Sequence, residues 1–302
     1  MQLATLIVNP SAAKARVLAA QMPAIRLLLA NHGYGVSVVE TTAAEGSAHD
    51  LAAAAAGESA LVLACGGDGT VHGVVQGLAG TETVLGIVPL GTANALARNL
   101  GLPLDPLAAL ERLMTYTARR LPLGEITAGG RTQLFAVMAG CGPDGVLVDE
   151  LALAGGARLK ARFGRLAYYG HAARLFATRR WPEFQVRFRE PNADTWSSAK
   201  AVAVMVSRVP DLGGVFSGTT PLARMTESQL HMQVLSGPAW ISMPAWMVCG
   251  RLGLRNRWLS TVDVAEVQCE GEGVYAQADG EPVGRLPISL RVVENALSML
   301  MP

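Results

Sequence analysis

The residues best suited to chemistry fall in four short blocks. The densest is Gly66-Gly67-Asp68-Gly69-Thr70, three glycines around one carboxylate and one hydroxyl. Without Cβ atoms, the N–H groups of Gly66, Gly67 and Gly69 can line a concavity, and a following helix adds its positive end, a combination that suits phosphate. A tight strand-to-helix turn with no ligand would use the same residues, so the cluster alone leaves both readings open. Two more turns have a similar make-up, Asn9-Pro10-Ser11 and Gly91-Thr92-Ala93-Asn94. The fourth block, Asp279-Gly280-Glu281, brings two carboxylates. Asp-Gly between strand-forming segments is also a hairpin signal, and such a turn can hold a carboxylate over a cleft.

The elements that must position these blocks follow from the apolar pattern. Thr5 to Val8, Val36 to Val39, Leu61 to Ala64 and Val84 to Val88 are predicted strands. Ala12 to Leu29, the alanine-rich Gly46 to Ala56 and a stretch from Val71 to about Leu78 are predicted helices. A further helix is expected over Thr92 to Leu100, capped by Thr92 and stopped by Gly101 with Pro103 beyond. Strands alternating with helices imply right-handed βαβ units and a parallel sheet. The three glycine- and asparagine-bearing turns then share the carboxyl edge of that sheet, where such folds bind ligands.

After about residue 122 the pattern changes. Gly124 to Thr127, Leu134 to Ala139, Phe184 to Phe188, Ala201 to Val206, Leu230 to Val234, Val262 to Val267 and Leu286 to Val293 are short runs of strand formers, as expected of an antiparallel sandwich or barrel. The expected organisation is an α/β domain over 1–123 and a β-rich domain over 124–286, with about 287–302 returning to the first. A basic and aromatic helix is predicted over about 157–180. It would lie on anionic lipid or pack as a solvated face on its own domain. Trp240, Ile241, Met243, Trp246, Met247 and Trp258 suit an interfacial patch, a core or a subunit contact equally well.

Composition excludes several classes. Half of the 302 residues are hydrophobic and 16% are charged, which supplies a large core and argues against disorder. A net charge of +1 sets up no field for nucleic acid. The four cysteines are far apart with no CxxC, fitting reduced thiols better than a disulfide framework or zinc. The scattered histidines form no zinc motif, and there is neither a GxSxG elbow nor a P-loop. No secretory signal is evident, and no apolar stretch approaches the ~20 residues that cross a bilayer. A cytoplasmic protein that can touch the inner membrane surface transiently is expected.

In order and spacing, Asn9-Pro10-Ser11, Gly66-Gly67-Asp68-Gly69-Thr70, Pro89-Leu90-Gly91-Thr92-Ala93-Asn94-Ala95-Leu96-Ala97-Arg98 and Ala278-Asp279-Gly280-Glu281-Pro282 resemble the diacylglycerol kinase and sphingosine kinase catalytic superfamily, in its bacterial lipid kinase form. The resemblance covers nearly the whole chain. It implies a fold like that of NAD kinases and diacylglycerol kinases, and an ATP- and Mg²⁺-dependent kinase that phosphorylates a lipid hydroxyl. The lipid would enter through the β-rich domain and meet the nucleotide in the interdomain cleft.

By the same resemblance, Gly66, Gly67, Gly69 and Thr70 hold phosphates, with Asn9, Ser11, Thr41, Thr92 and Asn94 as further nucleotide contacts. Asp68 takes Mg²⁺ directly or through water, Asp279 is the general base and Glu281 supports it. A homodimer and peripheral membrane contact are compatible with it. An NAD kinase-type enzyme shares the glycine block, and a non-catalytic nucleotide- or lipid-binding relative is the third alternative. Departures favour the last: Gly73 stands where relatives usually carry Glu, and Ala95 where many carry Asp. The Asp-Gly that helps hold a structural metal in relatives falls on Glu227-Ser228, where no such metal is expected. Asp144 of Gly142-Pro143-Asp144-Gly145 is retained from another family block.

Overall fold

The structure is a computed structural model that describes residues 1–153, 179, 181–212 and 218–302. The expected helix over about 157–180 lies outside the described residues, Arg179 excepted. The chain forms two compact units, Met1–Leu123 with Val293–Pro302, and Gly124–Val292.

The first unit is α/β. β1 (Gln2–Val8), α1 (Ala15–Asn31), β2 (Tyr34–Glu40), α2 (Ser47–Ala55), β3 (Leu61–Gly66), α3 (Asp68–Leu78), β4 (Val84–Pro89), α4 (Ala95–Asn99) and α5 (Pro106–Leu113) follow in order. The strands pair in parallel in the order β2-β1-β3-β4. Every residue of β3 is buried, as a central strand covered on both faces requires. Each large apolar side chain placed there contributes ~1.5–3 kcal/mol. Helix α5 begins at Pro106 with Asp105 as its cap, whose side chain accepts from the Ala108 N–H at 3.0 Å. Those bonds, the backbone one first and then the Gln21 amide, hold the Asp105 carboxyl below its usual range.

The second unit is an antiparallel β sandwich. After the last residues of β5 (Thr117–Ala128) come β6 (Arg131–Phe135), β7 (Met138–Cys141), α6 (Pro143–Leu153), β8 (Phe184–Arg189), β9 (Ser197–Ala201), β10 (Ala203–Ser207) and β11 (Leu230–Leu235). Then follow α7 (Ala239–Leu252), β12 (Leu259–Val264), β13 (Glu266–Glu270), β14 (Tyr275–Ala278), β15 (Glu281–Arg285) and β16 (Ile288–Met301). One sheet runs β12-β11-β10-β7-β14-β15. The other pairs β9, β8, β13 and the first residues of β16. Val186 and Val267 from one, and Cys141, Val206 and Met232 from the other, enter one buried core. β16 continues into the first unit, where Met299 pairs in parallel with Leu85 of β4.

Three local expectations are corrected. The helix after β4 starts at Ala95, not at Thr92; its flanking residue is Asn94 in the left-handed region, with no cap from its own side chain. The run Leu134 to Ala139 is two strands, because the N–H groups of Ala136, Val137 and Met138 turn away to Asp279. The run Val262 to Val267 breaks at Ala265, whose N–H donates to Arg189 O at 2.8 Å. Helices α5, α6 and α7 are additions to the sequence reading.

Candidate functional site

In the first unit, the carboxyl ends of β1, β3 and β4 lead into three turns that are fastened to one another. The Asn9 amide works at both ends: Oδ1 accepts from Ser11 N–H at 2.9 Å, closing a turn over Pro10, while Nδ2 donates to Thr70 Oγ1 at 3.2 Å. Its backbone N–H donates to Cys65 O at 2.9 Å, and burial pushes the Cys65 thiol up. Thr70 is buried in the first turn of α3. Its side chain fills the space beside Gly66, where a Cβ would come within 2.4 Å. Gly66 is therefore glycine for steric reasons.

The second fastening joins the β3 and β4 turns. A Cβ on Gly91 would lie 2.5 Å from Gly67 Cα, so the two backbones meet glycine to glycine. Leu90 N–H donates to Gly66 O at 2.8 Å. Asp68 then receives both following amides: Asn94 N–H on Oδ2 at 3.0 Å and Ala95 N–H on Oδ1 at 2.7 Å. Asp68 caps α4 from another segment of the chain. Asn94, at φ 49, folds its amide back onto Gly91, donating to its O at 2.8 Å and accepting from its N–H at 3.0 Å.

What these turns can do chemically follows from their donors. The opening turn of α3 leaves N–H groups without intrahelical partners, and Gly69 among them is exposed. Thr92 and Ser11 are exposed and Thr41 is half-buried, its N–H on Val8 O at 2.9 Å. Asn9, Ser11, Thr41, Gly66, Gly67, Asp68, Gly69, Thr70, Thr92 and Asn94 thus all belong to the carboxyl edge of this one sheet.

Lys14 joins them unforeseen. Its N–H donates to Leu90 O at 3.2 Å and its Nζ to Leu104 O at 2.6 Å, which places an ammonium beside the third turn. The available signal was that Lys14 is the first charged side chain of the sequence.

One departure from the family pattern, Gly73, has a packing reason. Gly73 is not open to the turns: a Cβ there would stand 2.8 Å from Ala48 Cβ, so α3 rests on α2 through Gly73 and Gly77. Ala95 is buried, with its N–H on Asp68.

Whether a divalent metal suits these residues depends on Asp68. Two of its roughly four lone-pair directions serve the Asn94 and Ala95 amides, leaving capacity for a hard cation. Among the described residues, no three His, Cys, Asp or Glu gather as a metal cage. One carboxylate without a cage fits Mg²⁺ that arrives on nucleotide phosphates and keeps several waters. Glu227 is exposed, with Oε2 accepting from the Gln229 amide at 3.1 Å.

In the second unit, Asp279 and Gly280 form the two-residue turn between β14 and β15, at φ 50 and 87, as a type I′ hairpin requires. The Asp279 carboxylate accepts three backbone N–H bonds, from Ala136 on Oδ2 and from Val137 and Met138 on Oδ1, each at 2.9 Å. Its own N–H returns to Met138 O at 2.8 Å. Gly280 N–H donates to Gln277 Oε1 at 2.9 Å, and Gln277 Nε2 donates to Asp144 Oδ2 at 3.1 Å. Burial raises the Asp144 carboxyl above its usual range, with the Gln277 bond opposing. Glu281 is exposed at the start of β15.

Comparison with known proteins adds relatives to this geometry. The model of the diacylglycerol kinase catalytic domain matches residues 3–126. A diacylglycerol kinase of Bacillus subtilis is 25% identical over 311 residues, spanning 100% of this chain and 97% of its own. A Pseudomonas aeruginosa protein named a probable lipid kinase, YegS-like, is 32% identical over 257 residues, covering 83% of this chain and 79% of its own. Among solved structures, a diacylglycerol kinase of Bacillus anthracis superposes with a TM-score of 0.73 at 22% identity, over 100% and 97% of the two chains. Yeast NADH kinase, solved with NADH, gives 0.51 at 10% identity over 100% and 84%, a likeness of fold.

Proposed function

We propose that this chain, which belongs to the diacylglycerol kinase catalytic-domain family of lipid kinases, transfers the γ-phosphoryl group of ATP to a hydroxyl of a diacylglycerol-like or sphingoid-like lipid. The observation that carries the reading is the fastening of three strand-to-helix turns at one sheet edge by Asn9, Asp68 and the Gly67–Gly91 approach. Phosphoryl transfer asks a protein chiefly for positioning and electrostatic stabilisation. Turns locked to each other hold their N–H donors in place before the nucleotide arrives.

In this reading Gly66, Gly67, Gly69 and Thr70 bind phosphate oxygens, and Lys14 adds positive charge beside them. Asn9, Ser11, Thr41, Thr92 and Asn94 line the rest of the nucleotide site. Bound Mg²⁺, held through Asp68, would offset charge on the phosphates. The acceptor oxygen forms a bond to γ-phosphorus as the bond to the ADP oxygen breaks, and Asp279 receives the hydroxyl proton with Glu281 in support. A positioned base of this kind contributes ~10²–10⁴-fold.

The test is direct. Purified protein with ATP, Mg²⁺ and a panel of neutral lipids should release ADP and yield phosphorylated lipid. Phosphorylation of NAD in place of any lipid would move the chain to soluble-substrate kinases. ATP binding with no product from any acceptor, and with lipid co-purifying, would make it a binding protein.

A further inference from the structure

Helix α7 is apolar on two sides, and the chain covers one of them. Ala239, Ser242, Met243 and Trp246 face inward. Trp246 Nε1 donates to Gln233 Oε1 of β11 at 2.9 Å, which fixes that face on the sheet. Trp240, Pro244, Val248, Arg251 and Leu252 form one stripe at i, i+4, i+8 and i+11/i+12, and all are exposed. Trp240 is 68% exposed, Val248 57% and Leu252 64%, and Leu254 just beyond the helix is 59% exposed. A surface helix ordinarily turns a polar face to water. This one turns a tryptophan and aliphatic side chains outward.

Along the sequence, the charge flanking the stripe has one sign. Between Glu227 and Asp263 the sequence holds no acidic residue and three arginines, Arg251, Arg255 and Arg257. Gly253 ends the helix in the left-handed region, and the chain doubles back, with Ser236 N–H donating to Trp258 O at 2.9 Å. The return carries Arg257 over the Trp258 ring, 4.4 Å from its centroid. Among the described residues, Arg251 and Arg255 form no ion pair.

We infer that the outer stripe of α7 and the Gly253–Trp258 return dock on an anionic lipid surface. Apolar side chains would enter the headgroup boundary while the guanidinium groups meet lipid phosphates, the arrangement of interfacial helices. A second copy of this chain fits the surface less well. A two-fold interface sets the patch against itself, opposing Arg251, Arg255 and Arg257 to their own copies with no carboxylate among them. As a means of reaching a water-insoluble acceptor, the docking rests on the lipid-kinase reading above; as binding to vesicles, it is measured without it.

Flotation of the full chain with phosphatidylcholine vesicles, with and without phosphatidylglycerol, tests the surface. The protein should float with phosphatidylglycerol present and be released as salt rises. W240S/V248S/L252S should lower binding about tenfold or more. R251Q/R255Q/R257Q should lower it about fivefold per arginine. Since all six side chains are exposed or at the rim, both variants should melt near the parent and turn over a dispersed short-chain diacylglycerol at its rate. The inference is overturned if both variants float like the parent, or if flotation is the same without anionic lipid. It is equally overturned if the serine variant changes only a dimer into monomers. Absent turnover in a parent that floats would sink the kinase reading alone.

Discussion

Asp68 and Asp279 are the two carboxylates on which the chemistry was expected to turn, and the two units treat them alike in one respect. Each is held by backbone N–H groups from a distant part of the chain, two for Asp68 and three for Asp279. They differ in what the hold secures. Asp68 fastens one glycine turn to the next, so its bonds shape the sheet edge that would receive phosphate. Asp279 fastens its own hairpin to the Ala136–Met138 link and so sets its own orientation. A carboxylate in a candidate site is thus not free for chemistry by default. Losing it removes architecture as well as a reactive group.

The largest effect should come from Asp279→Ala. Three backbone donors lose their acceptor, so chemical denaturation should show a loss of about 2–4 kcal/mol, alongside lost turnover. If stability is unchanged, the hold described for Asp279 is wrong. Gly91→Ala should follow: its Cβ would press on Gly67 Cα and Asn94 Oδ1, at an overpacking cost of ~1–3 kcal/mol. Calorimetric titration should then show weakened ATP binding with lipid-vesicle binding kept. Equal ATP affinity in parent and variant would mean that the Gly67–Gly91 approach does not shape a nucleotide site.

The smallest effect concerns Asp144, whose carboxylate accepts from the Gln277 side-chain amide. Its folded carboxyl keeps its proton to higher pH than the unfolded one, starting from 3.8. The native state then binds more protons over that interval, and stability falls as pH rises through it. Asp144→Asn should lose this fall while keeping the Gln277 bond. Denaturation midpoints across the acid range should therefore converge below the ordinary carboxylate range and diverge above it, with the variant more stable. Parallel profiles would remove the assignment.

Much of this was legible because local signals agreed with the fold. Leu61 to Ala64 reads as a buried strand and lies in one, and Asp279-Gly280 reads as a hairpin turn and is one. Fold class and family could be read at that level. What escaped was decided at long range. The start of α4 could not be found from its own residues, because its cap is Asp68. The break after Phe135 is set by Asp279, far along the chain. Gly73 looked like a missing carboxylate, yet it is where α3 meets Ala48 of α2. Helix α7 lacks the polar stripe that marks a surface helix, so its periodicity was mute.

The path of β16 has a consequence for how the molecule comes into being. The first unit joins residues 1–123 to 293–302: its sheet receives Met299 beside Leu85, and Gly80 N–H donates to Ala296 O at 2.8 Å. During synthesis β4 emerges well before β16, and lacks its partner on that flank until β16 follows. That pairing is a long-range closure of the kind that slows folding.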